Sequence, residues 1–230
     1  MLTLLAAALA FFALHRIVSG SPLRHRLVAV VGESVFRGLF ALASVFCLIW
    51  LWTGFLEARA SAYNLQLFAP TPAVRWLQIP LQLLALAFIV AGLTTRNPTI
   101  AGMGASVHDQ DVLHGMLRIT RHPFLWGISI FSAGHMLVLG DLAAWTFFGT
   151  LLVLALTGTV SIDSKRRRAF GKDWAGFAAS TSNLPFAAIL KGRQPLKLLE
   201  IGWWRFLITV AVFVLLTFVH PYLFGLAAQP

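Results

Sequence analysis

Six long apolar runs decide most of what this chain can fold into. They are Leu2–Val18, Gly38–Leu56, Trp76–Leu93, Pro123–Leu139, Leu142–Ser161 and Trp203–Val219. Each is close to the ~20 residues that cross a bilayer as a helix. Backbone amides in hydrocarbon must be satisfied within the segment, and no strand-like alternation is present, so the runs predict helices rather than a barrel. The expected fold is all-α: a polytopic membrane bundle of about six transmembrane helices with a cytoplasm-facing cavity. One transmembrane domain is expected over residues 1–230, and no internal repeat is visible.

Charge is scarce and segregated. Only 11% of the 230 residues are charged, and 58% are hydrophobic, against roughly 25% charged in soluble domains. The formal net charge of +10 would suit nucleic acid, but the cations sit between spans, where they orient them. No nucleic-acid partner is expected; the lipid bilayer is. The end of the first run and the segment after it carry Arg16, Arg24, Arg26 and Arg37, and Arg96, Arg118 and Arg121 follow the third. Lys165, Arg166, Arg167, Arg168, Lys172, Lys191, Arg193 and Lys197 follow the fifth. The other side holds only Arg59 and Arg75. This bias predicts cytoplasmic basic segments with both termini outside. The start MLTLLAAALAFFALH lacks a basic region ahead of its apolar stretch and reads as an uncleaved first span. A lone cysteine, Cys47, excludes an intramolecular disulfide framework and a cysteine-based zinc site. Gly140-Asp141 suits a tight turn between the fourth and fifth runs.

Two segments, 94–122 and 164–202, are too long for turns and too rich in aromatics and punctuation for disorder. They place the working surface on the cytoplasmic side. Ionisable residues in or beside spans are functional candidates by default. His15 lies in the last turns of the first run, and His135 about twelve residues into the fourth. At ~1.5 Å per residue their depths differ by roughly 10 Å. Helical side chains lean toward their own N-terminus, so on antiparallel neighbours these two imidazoles converge, as metal or haem ligands would. The alternative for each is packing or a hydrogen bond to a neighbouring group. At Arg121-His122-Pro123, Pro123 suits the first position of a helix and Arg121 can reach headgroups. His122 competes with His135 as partner for His15. Asp163 either neutralises the following basic run or faces Arg121 and His122. His114 is a minor candidate, while His25 and His108 are placed in loops and His220 at an interface. Glu33 and Glu200 are expected to anchor span ends.

Several stretches, in order, carry a resemblance: HRIVSGSPLR and GESVFRGLF, then GMLRITRHPFLWGISIFSAGHMLVLGD, SIDSKRRRAFGKDWAGFAASTSNLPFAAILKGR, EIGWWR and HPYLFG. Together they resemble the NnrU family of bacterial membrane proteins over essentially the whole chain. That family is associated with nitrite and nitric oxide metabolism, which implies a denitrification enzyme as partner in an assembly or sensing role. The same stretches are similar to 15-cis-zeta-carotene isomerase, which implies haem b held by His15 and His135, redox-linked isomerisation, and a lipid-soluble polyene substrate. Ser132 stands where that enzyme has a cysteine, and Arg16-Ile17-Val18 precede Ser19-Gly20, both departures from it. A fainter likeness to isoprenylcysteine and phospholipid membrane methyltransferases rests on Arg121-His122-Pro123, Phe170-Gly171 and Trp174. It implies S-adenosylmethionine in a cavity lined by Arg121, His122 and Asp163. That family's glutamate pair reads Ile162-Asp163 here.

Overall fold

A computed structural model describes residues 1–19, 21–109 and 111–225. Gly20 of the early motif therefore lies outside the described residues. The helices are α1 (Leu2–Ala13), running into a π-helical turn at Leu14–Val18, then α2 (Leu23–Val31), α3 (Glu33–Arg59) and α4 (Pro72–Thr94). There follow α5 (Met116–Ile119), α6 (Pro123–Val138), α7 (Leu142–Ser180), α8 (Ala187–Leu190) and α9 (Trp203–Phe224), with 3-10 turns at Gly104–His108 and Leu198–Ile201. The chain is a multi-pass, all-helical membrane protein.

The six expected spans are not all equal. Helices α3, α4, α7 and α9 are long and apolar enough to cross a bilayer. The first run, Leu2–Val18, pairs across a sharp bend with Leu23–Val31, and α6 has 16 residues. At ~1.5 Å per residue α6 is about 24 Å long, short of the ~30 Å hydrocarbon layer. Among the described residues the count of long spans is thus four, or five with the bent pair.

The residues form two compact units. The first is Met1–Pro70 with His135–Leu154; the second is Thr71–Gly134 with Ala155–Pro230.

In the first unit α1 runs antiparallel to α3. A Cβ on Gly54 would stand 3.1 Å from the Leu4 backbone, and the Thr3 hydroxyl donates to Glu57 at 3.2 Å. Lipid is as apolar as leucine, so helices here associate by close packing rather than by the hydrophobic effect, and Gly54 permits the approach. Phe55 meets the rings of Phe147 and Phe148 at 4.8 and 6.0 Å. The turn between α6 and α7 forms as its glycine-aspartate pair predicts. Asp141 accepts from the Ala144 amide at 2.9 Å and from Asn64 Nδ2 at 3.1 Å, satisfying an amide in the first turn of α7. A Cβ on Gly140 would collide with the Phe68 carbonyl, so no other residue fits.

In the second unit α4 and α6 press together through glycines. A Cβ on Gly92 would lie 2.5 Å from the Phe124 amide, and one on Gly127 2.6 Å from Ile89. The two long polar segments are folded. Val107, Val112 and Leu117 from the first pack with Trp174 and Phe177 from the second. Phe88, Ala91, Met116 and Ile119 make a second cluster. At Gly171, φ 49° and ψ −116° break α7, a conformation glycine adopts readily.

Candidate functional site: a buried arginine–histidine–aspartate cluster

Arg121, His122 and Asp163 come together in the second unit. Thr120 is extended, so α5 stops there, and Pro123 opens α6. Between them the backbone is fixed from several directions. The Arg121 carbonyl accepts from Asn97 Nδ2 and from the Thr99 hydroxyl, each at 3.1 Å. The Arg121 amide donates to the Ser182 carbonyl at 2.9 Å. The hydroxyl of Thr120 and the indole N–H of Trp126 both donate to the Asn183 carbonyl. Asn183 Nδ2 in turn donates to the Thr159 hydroxyl on α7 at 2.9 Å.

Asp163, just above the basic run of α7, is the anchor of the site. Arg121 Nε donates to its Oδ1 at 3.0 Å and Nη2 to its Oδ2. This fork matches a carboxylate with two parallel bonds. His122 Nε2 lies 2.7 Å from Asp163 Oδ1. A carboxylate already engaged by a guanidinium accepts here, which assigns the proton to Nε2 and leaves Nδ1 a bare lone pair. The His122 side chain is fully buried, and Nδ1 has no hydrogen-bond partner. Burial pushes the imidazole below the ordinary histidine pKa; it outweighs the Asp163 bond and charge, which pull the other way. His122 is therefore neutral near pH 7. Buried polar atoms are nearly always paired, and an exception calls for a ligand, a water or a chemical role.

A second ion pair stands next to the cluster along the chain. Arg118 Nε donates to Glu200 at 2.7 Å and its Nη1 to Gln194 at 2.6 Å. The Gly115 amide also donates to Glu200, and with Arg118 it pushes that carboxyl down to about 2. Glu200, expected to anchor a span end, clasps two loops together.

The other candidates lie elsewhere. In the first unit His15 Nδ1 is 3.0 Å from the Phe11 carbonyl, and its ring meets Phe11 and Phe40 at 4.5 and 5.2 Å. His135, in the last turn of α6, stacks on Phe148 at 4.5 Å, and Phe148 abuts Phe55. Phe40 and Phe55 are separated by about 22 Å along α3. His15 thus packs beside Phe40 near the start of α3, and His135 packs through Phe148 toward Phe55 near its end. Among the described residues no group of three or more His, Cys, Asp and Glu side chains could hold a metal ion. His114 Nδ1 lies 2.9 Å from the Asp111 carbonyl. It helps line an open cavity of about 400 Å³ with Arg96, Asp109, Asp111 and Val112. That lining does not include Arg121, His122 or Asp163.

Asn97, Thr99, Ser182 and Asn183 escape a reading of the sequence. They are uncharged and flank spans, like loop residues. Their one signal is neighbouring proline, in Asn97-Pro98 and Asn183-Leu184-Pro185, which marks fixed turns.

The family model for "NnrU protein" matches residues 3–228. The chain belongs to the NnrU family. Its similar relatives include the chloroplastic 15-cis-zeta-carotene isomerases of Arabidopsis thaliana and Zea mays. The first is 28% identical over 171 residues, covering 73% of this chain and 45% of the relative. The second is 27% identical over 180 residues, covering 76% and 48%. The chain spans about half the length of these relatives. No solved structure matches it.

Proposed function

We propose that this NnrU protein is isomerase-like and acts on an extended, lipid-soluble polyene, with Arg121, His122 and Asp163 as its working residues. The similarity to two carotene isomerases supports the substrate class, and so does the apolar, multi-pass fold. The observation that carries the site is the lone pair on His122 Nδ1, buried and unpaired while Nε2 is held by Asp163. Arg121 keeps the carboxylate ionised. The carboxylate fixes the tautomer and orientation of the imidazole, and burial keeps the ring neutral, so that Nδ1 can receive a ligand.

Haem b is the proposed cofactor. Iron would supply electron exchange with the polyene, which lowers double-bond order and permits rotation. Metal-ligating histidines characteristically give their other N–H to a carboxylate or a carbonyl, and His122 is set in that way. His122 joins His15 and His135 as a candidate ligand. Ligation at Nδ1 requires the side chains covering the ring to part.

The absorption spectrum of the purified, haem-supplemented protein tests this. The expected result is a Soret band that weakens or shifts in His122→Gln, which keeps a donor for Asp163 but removes Nδ1. A band untouched by His122→Gln and abolished by His15→Ala with His135→Ala returns ligation to that pair. No band in any form removes haem from the reading. Incubation with a 15-cis polyene in proteoliposomes tests the reaction itself, and an unchanged cis/trans ratio overturns it.

A further inference from the structure

The stretch from Leu184 to Trp203 has its polarity inside out. Several of its polar groups bond within the second unit. Gln194 and Glu200 are held by Arg118. Arg193 Nη1 donates to the carbonyls of Ala179 and Thr181, and the Ala188 amide donates to the Ser182 hydroxyl. The leucines face outward. Leu190 is 84% exposed and Leu199 96%, with Leu184, Leu196 and Leu198 also exposed. None belongs to a spanning helix. In water this arrangement would display apolar surface while spending the polar groups internally, the reverse of an aqueous loop.

Two more features say what covers it. The stretch runs directly into α9, whose first residue, Trp203, is 76% exposed, in keeping with tryptophan at the level of headgroups. Arg205 donates to the Thr94 hydroxyl and carbonyl at 2.8 and 3.0 Å, so the start of α9 is level with the end of α4. The leucines therefore emerge where two spans leave the membrane. Lys191 and Lys197 are exposed among them. Lys197 lies 3.2 Å from Glu200, a carboxylate that already serves Arg118.

We infer that residues 184–203 lie in the membrane surface as a shallow anchor, with the leucines among acyl chains and Lys191 and Lys197 on the phosphates of anionic phospholipid. Apolar burial supplies insertion, and the cations supply preference for acidic headgroups.

The test uses the full chain in nanodiscs of phosphatidylcholine, alone or mixed with phosphatidylglycerol. In a Cys47→Ser background, Leu199→Cys carries an environment-sensitive fluorophore. The expected result is quenching by brominated acyl chains, protection from iodide, and a higher thermal midpoint in the phosphatidylglycerol discs. Lys191→Gln with Lys197→Gln should abolish that midpoint difference. Inorganic phosphate added to phosphatidylcholine discs should not reproduce the shift; if it does, the site takes free phosphate and the headgroup assignment is wrong. A label open to iodide overturns insertion. A label shielded from both quenchers means a protein covers the face, which also overturns it. Equal midpoints in the two lipids overturn the preference for acidic headgroups.

Discussion

The two units hold their histidines in opposite ways. In the first, His15 and His135 lie against aromatic rings: Phe11, Phe40 and Phe148. In the second, His122 lies against a carboxylate that is itself clamped by an arginine. An imidazole beside rings contributes shape and apolar area. An imidazole on a buried ion pair has its tautomer dictated and one nitrogen kept for another task. Depth in the membrane alone does not single out the chemically prepared histidine; the charged neighbours do.

The sharpest way to break this contrast is Asp163→Asn. It strips the arginine fork of its counter-charge and should cost on the order of 3–5 kcal/mol, as for other buried pairs that lose one partner. Unfolding in mild detergent would measure it, and a loss near zero would mean that water reaches the cluster freely. Gly92→Val comes next. Its side chain would collide with the Phe124 backbone, and overpacking of this kind typically costs about 1–3 kcal/mol.

Acidity separates two sites within the second unit. The folded pKa of His122 lies below 6.5. Below about pH 6.5 the unfolded chain takes up a proton here that the native protein resists. Stability should therefore fall as pH drops from 6.5 toward the folded pKa and be indifferent to this residue above 6.5. A His122→Gln variant should lose that slope. Glu200 behaves in the opposite sense. Its carboxyl is pushed from 4.5 down to about 2, so its contribution is complete above pH 4.5 and vanishes as pH falls through about 2. Because the clasp is only partly buried and glutamine keeps an acceptor for Arg118 and the Gly115 amide, Glu200→Gln should give the smallest change of the series, read as a flatter acid limb in a melting curve.

Hydropathy alone makes the helical membrane fold legible, since the length of an apolar run is a local property of the chain. The turn at Gly140-Asp141 is legible for the same reason. The meeting of Arg121, His122 and Asp163 is legible as a choice of residues but not as a geometry. Whether Asp163 turns to its own basic run or across to Arg121 depends on the rotation of α7, which no local pattern encodes. The bracing by Asn97, Thr99 and Asn183 is hidden, because burial of an uncharged side chain depends on what folds over it.

The clasp of residues 194–205 also says something about the order in which the protein is made. Synthesis proceeds from the N-terminus, so Arg118 and the end of α4 exist well before Glu200, Gln194 and Arg205 leave the ribosome. During that interval Arg118 lacks its carboxylate, and the Thr94 carbonyl lacks the guanidinium that meets it in the finished fold. The second unit is complete only when the last helix arrives. Chains truncated before residue 194 should therefore be recognised as unfinished by membrane proteases, even though every residue of the Arg121–His122–Asp163 cluster has already been made.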